Sequence, residues 1–215
     1  MTRKPKQSRA QHTVDSIVQA AFIALARHGA EGATTRQIAE YAGVGVGSIY
    51  EYFENKDAIF RAMGQRFAQE LVALIQEQTP ALVRIPLRDA VFQLIARTAE
   101  FLKQEDELYL RCARESALME RHVPFGAVYR ALADLFVQHA IAHPEIFRLN
   151  KLQTVAYIFI NSGMSTMIRY LNHPNPGFSF DDLAHGLADM AGHYVECELL
   201  MHETSPAQMK GSTSA

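Results

Sequence analysis

Apolar residues recur every three or four positions along almost the whole chain, and that regularity excludes most folds. Val14, Ile17, Val18, Ala21, Phe22 and Leu25 make one such stripe near the start. Leu183, Leu187, Met190, Tyr194, Cys197 and Met201 make another near the end. This is the period of a helix with one buried face, not the alternation of a half-buried strand. No repeat or strand-like run interrupts it, so the chain is predicted to be all-α, with about nine helices. Thr13 stands where it would cap the first helix, and Gly29 where that helix would end. Two short helical segments are expected over 34–41 and up to Phe53. Asn55 then caps a long helix with Asp57 in its first turn, broken by Pro80 and Pro86. Further helices are expected over about 87–103, 107–121, 124–143, 149–172 and 181–202. The stretch 155–160 is apolar nearly all round, which predicts burial on several faces.

Charge divides the chain in two. Residues 1–56 hold seven Lys and Arg against five Asp and Glu, whereas the remainder holds fourteen against eighteen. The net charge by itself suggests no polyanionic partner, and a basic head on an acidic body is the asymmetry that bears on function. The two cysteines, Cys112 and Cys197, are too few for a disulfide scaffold and point to a reducing cytoplasm. No apolar run reaches the roughly 18 residues that cross a bilayer. The apolar start is broken by Asp15 and Gln19, unlike a signal peptide. A soluble, cytoplasmic protein with no membrane partner is expected.

The most informative stretch is 34–53. Two short helices meet at a turn at Gly43, where a positive φ suits glycine. Ile38, Ala39 and Val44 are expected to pack inside, with Ile49 and Phe53 against the flanking helices, and Gly45 and Gly47 leave the second helix free to approach another surface. That is a helix-turn-helix, whose second helix enters the DNA major groove. Gly43 to Ser48 also imitates a phosphate-cradling loop, but it lacks a preceding strand and a Gly-Lys-Ser/Thr ending.

The run Ala42-Gly43-Val44-Gly45-Val46-Gly47-Ser48-Ile49-Tyr50-Glu51-Tyr52-Phe53-Glu54-Asn55-Lys56 resembles the N-terminal motif of the TetR family of bacterial transcriptional regulators. The Thr34-Thr35 pair before Ile38-Ala39 and the first-helix pattern ending in Gly29 match as well, so the similarity spans about residues 8–60. One position departs: the family's serine at the start of the recognition helix is Gly45, an acceptable cap without the hydroxyl. The resemblance implies a three-helix DNA-binding head over 1–60, a helical ligand-sensing and dimerisation domain over 61–203, and a flexible tail over 204–215. Val46, Gly47 and Ser48 are implied to face the groove, and Thr34, Thr35 and Arg36 to contact backbone and base edges. Tyr50, Tyr52 and Lys56 are implied to contact phosphates. The basic arm Arg3, Lys4, Lys6 and Arg9 invites a further DNA contact or is a solvated tail.

The expected function is a ligand-responsive repressor released from a pseudo-palindromic operator in double-stranded DNA. The body is rich in aromatic and methionine side chains, and Phe101, Tyr109, Cys112, Tyr129, Phe159 and Met164 are candidates to line a pocket for an unidentified small-molecule effector. By resemblance, the last two long helices form the interface of a homodimer, with Gly163, Leu183, Leu187, Met190 and Tyr194 as candidate contacts. The rivals are a metal sensor using His139 and His143, or His193, Glu196 and Cys197, and a redox sensor at Cys112. A helical enzyme or interaction module is a weaker rival, because no nucleophile, base and orienter fall in a recognisable pattern. No catalytic residue, metal or cofactor is expected.

Overall fold

The computed structural model describes residues 4–173 and 175–204. Among them the order is α1 (Lys4–Gly32), α2 (Thr35–Ala42), α3 (Val46–Tyr50), α4 (Lys56–Leu82), α5 (Leu87–Leu102), α6 (Gln104–Ala113) and α7 (Ser116–His122). There follow α8 (Phe125–Ala142), a 3₁₀ turn (Pro144–Arg148), α9 (Leu152–Asn172) and α10 (Phe180–Thr204). The chain is all-α, as its periodicity requires. It divides into two compact units. One comprises Met1–Ala73, Thr98–Val128 and Met167–Asn175, and the other Leu74–Arg97, Tyr129–Thr166 and Pro176–Ala215, as far as these stretches are described. Residues 205–215, most of the expected tail, lie outside the described residues, as do Arg3 and the side chains of Lys4 and Lys6.

The first unit is built on the predicted stripe of α1. Ile17, Phe22 and Leu25 are fully buried, together with Ile38 of α2, Ile49 of α3, and Ile59 and Met63 of α4. Thr13 does not cap α1. The helix is already running at Lys4, and the Thr13 hydroxyl donates to the Arg9 carbonyl one turn back, at 3.0 Å. Gly29 breaks the helix as expected, with φ 70° and ψ 176°. Pro80 does not end α4, which continues to Leu82. Both Pro80 and Gln76 are exposed, so the carbonyl that loses its helical donor at the proline is open to water. The predicted helix over 107–121 is two helices, α6 and α7. The chain turns at Glu115 (φ −85°, ψ 61°), whose side chain lies over Gly29 of α1. A tertiary contact marks this break, where the sequence has no Gly or Pro.

The second unit centres on Ala140, Ile146, Leu149 and Val195, with Leu87, Phe136, Leu152, Tyr194 and Leu199 packed around them. An ion pair between Arg88 and Asp189 joins α5 to α10. Here the expectation of all-round burial over 155–160 is overturned. Only Val155 is buried, while Tyr157 is 69% exposed and Ile158 is also exposed. Leu183 is corrected too. It belongs to the inner face of α10 with Ala184, Ala188, Ala191 and Val195, all buried within this chain, so it is not available to a partner. The outer face carries Gly186, Met190, His193 and Cys197, at spacings of four, three and four.

Candidate nucleic-acid interface

The helix pair at residues 34–53 is held by backbone chemistry legible in its sequence. Thr34 caps α2 in a reciprocal box with Gln37. The Gln37 amide donates to Thr34 Oγ1 (3.3 Å), and the Thr34 amide donates to Gln37 Oε1 (2.8 Å). This satisfies two donors that a helix start would leave open. Gly43 closes α2 in the left-handed region (φ 66°, ψ 29°), and Val44 N–H returns to the Ala39 carbonyl at 3.0 Å. A side chain at Gly43 would meet nothing within 4 Å, so the glycine is there for its φ and not for space. α3 starts at Gly45 in extended backbone, without a side-chain cap. Ile49 is fully buried and anchors α3 to the core. Asn55 Oδ1 accepts from the Ala58 amide at 2.9 Å, so the start of α4 is capped as predicted.

Around the anchored Ile49, most of α3 faces solvent. Tyr50 is 55% exposed, Val46 40% and Tyr52 38%, with Gly47 and Arg36 also exposed and Thr35 and Ser48 half-buried. Large apolar and aromatic side chains left in water around a five-residue helix form a surface suited to a partner. Two expected contacts have duties inside the fold. The Thr34 hydroxyl is engaged with Gln37, donating to Oε1 at 2.8 Å. Lys56 is half-buried, and its Nζ donates to the carbonyls of Ala33 (3.0 Å) and Ala30 (3.4 Å) at the end of α1, 5.4 Å from the Phe60 ring centroid. An ammonium has three donors, so one is left for a phosphate.

The six candidate pocket residues do not converge. Phe101, Tyr109 and Cys112 lie in the first unit, where the Tyr109 ring packs against Phe101, Phe67 and Phe22 with centroids 5.0, 5.6 and 5.0 Å away. The Tyr109 hydroxyl donates to Glu70, which also pairs with Arg66 at 2.8 Å. Tyr129, Phe159 and Met164 lie in the second unit. Tyr129 lines a cleft of about 660 Å³ between α8 and α9, Phe159 packs edge-on against Tyr194, and Met164 is half-buried. Cys112 is fully buried, its Sγ 3.5 Å from the Phe22 carbonyl. Burial, and then the Glu115 carboxylate, push its thiol up to about 12. A thiol without thiolate character is a poor redox sensor. His139 and His143 stack at 4.4 Å, but among the described residues no third His, Cys, Asp or Glu completes a metal set with them.

Residues 17–63 match the model of the family described as bacterial regulatory proteins, tetR family. Over those residues the chain resembles the TetR family. Its similarity to the HTH-type transcriptional repressor AcnR of Corynebacterium glutamicum is 32% identity over 74 residues, 34% of this chain. The matched part spans just over a third (37%) of that repressor's length. Solved structures extend the likeness of fold to the body. A TetR-family regulator from Mesorhizobium loti superposes with a TM-score of 0.65 at 19% identity, over 90% of this chain and 98% of that one. FadR from Bacillus subtilis in complex with stearoyl-CoA gives 0.62 at 16% identity, over 82% and 96%. Among the described residues no helix is long and apolar enough to cross a membrane.

For this head, sequence reasoning missed three things. The Thr-x-x-Gln signature of the box was available at 34–37 and assigns Thr34 to the fold. The Lys56 bonds to Ala30 and Ala33 join residues 23 or more positions apart, which no local pattern announces. The contacts of Asp57 with Arg121 and His122 of α7, at 3.3 Å each, were equally invisible.

Proposed function

We propose that this TetR-family regulator is a ligand-responsive homodimeric repressor, with residues 1–60 as the DNA-binding head and 61–203 as the sensing and dimerisation body. The observation that carries the DNA role is the exposed surface of Val46, Gly47, Tyr50 and Tyr52 beside Arg36 and Lys56, on helices whose other faces are locked in the core. Val46, Gly47 and Ser48 meet base edges, while Arg36, Tyr50, Tyr52 and Lys56 fix register on phosphates. Thr35 adds a backbone contact at the start of α2. A dimer is supported by the apolar side chains that α8, α9 and α10 leave in water, among them Val137, Ile141, Tyr157, Ile158 and Met190. A two-fold dimer presents two heads to a pseudo-palindromic operator. Gly163 fits this face, since a Cβ there would meet nothing within 4 Å, and Leu187 and Tyr194 are half-buried at its edge.

The effector acts where Phe101 and Tyr109 meet Phe67 and Glu70 of α4. An apolar group, such as an acyl chain, that parts these rings displaces the helix that begins at Lys56. Differential affinity alone can drive such a change. The test is a gel shift on the DNA upstream of the chain's own coding sequence, with fatty acyl-CoA thioesters as first probes because a protein of the same fold was solved with one. Release of a specific complex is expected, and by linkage the same DNA weakens acyl-CoA binding by the same factor. Sedimentation at micromolar concentration should give a dimer, and Met190→Glu, which spares the core, should give a monomer with weakened operator binding. A specific complex formed by a wild-type monomer would overturn the dimer.

A further inference from the structure

Asp57, Phe60, Arg61 and Gly64 recur at i, i+3, i+4 and i+7 and therefore share one face of α4. The end of α7 is seated on that face. At Gly64 the fit is so close that an added Cβ would collide with the His122 carbonyl, so only glycine permits it. The His122 ring, 4% exposed, lies 6.2 Å from the Phe60 ring, and its Nε2 is 3.3 Å from Asp57 Oδ1. Arg121 Nη2 reaches the same oxygen at 3.3 Å, and Arg61 pairs with the other. Three side chains, two from α7, thus converge on a carboxylate in the first turn of α4, one residue beyond Lys56.

We propose that His122 is a positioning residue for DNA binding: its neutral ring, seated against Phe60 with its backbone on Gly64, holds Asp57 and the first turn of α4, and protonation of the ring releases that turn. The inference rests on the DNA-binding role of the head. A carboxylate accepts but does not donate, so the neutral tautomer that suits this 3.3 Å approach carries its proton on Nε2. Nδ1 is buried and has no hydrogen-bond partner. A second proton would therefore sit on Nδ1 with nothing to accept it. The charged groups around the ring are Asp57 and Arg61 of α4 and Arg121 of α7. Burial disfavours the charged ring most, Asp57 opposes this, and the two arginines reinforce it, so His122 titrates below the ordinary histidine value. Acid therefore favours a state in which the ring has left its seat.

The test uses the full chain, the duplex upstream of its own coding sequence and a scrambled duplex of equal length. Anisotropy titrations from pH 8 to 5.5 compare wild type with His122→Gln, whose amide keeps a donor toward Asp57 but does not titrate, and with His122→Ala. Wild type should lose about fivefold or more in affinity over this range relative to the Gln variant, and the Ala variant should begin at the weakened level at pH 8. Gly64→Ala should reproduce the Ala phenotype by forcing the helices apart. In the free protein, amide exchange at residues 56–60, corrected for its intrinsic pH dependence, should rise on acidification in wild type and stay flat in His122→Gln. Parallel exchange profiles in the two proteins would overturn the clamp, whatever the DNA result. If wild type showed no preference for the upstream duplex, the operator role would fall, and the exchange profiles would still decide the clamp.

Discussion

Lys56 serves the fold and, by the proposed function, the DNA, and Lys56→Met separates these duties. Methionine keeps an apolar stem beside Phe60 and removes only the ammonium. Within the protein this deletes a 3.0 Å bond to Ala33, a weaker 3.4 Å bond to Ala30 and a cation–π contact. A charge-assisted bond contributes about 1.5–3 kcal/mol when well buried, and a cation–π contact about 0.5–1 kcal/mol at an exposed site. Lys56 is half-buried, and the carbonyls it leaves can take up water, so the expected loss of stability is about 1–2 kcal/mol. On DNA, the third donor contributes one phosphate contact per head. The slope of log affinity against log salt should fall by about 0.9 per head, or about 1.8 for two heads. Over a fourfold change in salt, the wild-type advantage should then shrink about twelvefold. The stability loss is read from urea midpoints and the slope from anisotropy at several salt concentrations, below the temperature at which the variant unfolds. Loss of stability with an unchanged salt slope would refute the phosphate role and leave Lys56 as a cap for α1. A change in base preference would refute it as well, since a phosphate contact carries no sequence information.

Two further outcomes follow from buried groups. His139 is 2% exposed, and neither ring nitrogen has a well-formed hydrogen bond; burial first, and the neighbouring His143 second, hold its pKa below the ordinary value. The unfolded chain therefore takes up the proton first, and the stability His139 contributes is complete above about pH 6.5 and declines as pH falls below it. Urea midpoints from pH 8 to 5 should fall less steeply in His139→Leu than in wild type, and identical slopes would count against the assignment. Cys112 should resist a thiol reagent at pH 8 until the protein unfolds, whereas rapid labelling of a Cys197→Ser variant would show that its burial is not maintained.

The head was legible because its instructions are local. Gly43 needs a positive φ, and Asn55 caps the residues directly after it. Each is a short-range solution to a backbone donor or dihedral, and a sequence records such solutions as spacings. The α6–α7 break was not legible because Glu115 turns the chain under a contact with Gly29, from the other end of the same unit. Pro80 misled for the opposite reason. Its sequence signal is real, but Pro80 and Gln76 lie on the exposed side of the last turns, where the missing donor is tolerated.

Periodicity also states that a helix has an apolar face without saying which molecule covers it. α10 has two apolar stripes. Leu183, Ala184, Ala188, Ala191 and Val195 are buried within the chain, and only the flanking stripe through Gly186, Met190, His193 and Cys197 faces outward. Leu183 and Met190 are seven residues apart, so a 3.5-residue seam assigns both to one surface. In a straight helix of 3.6 residues per turn, seven residues fall about 20° short of two full turns. That drift is enough to let one edge of the stripe sink into the subunit while the other stays in solvent. The same ambiguity governs α9, where Val155 turns inward and Tyr157 and Ile158 outward within a single turn. Residues apolar on every side of a helix require two coverings. If one is the chain itself, the other, under the proposed homodimer, is a second copy of the chain, and Met190→Glu tests that surface without disturbing the buried stripe beside it.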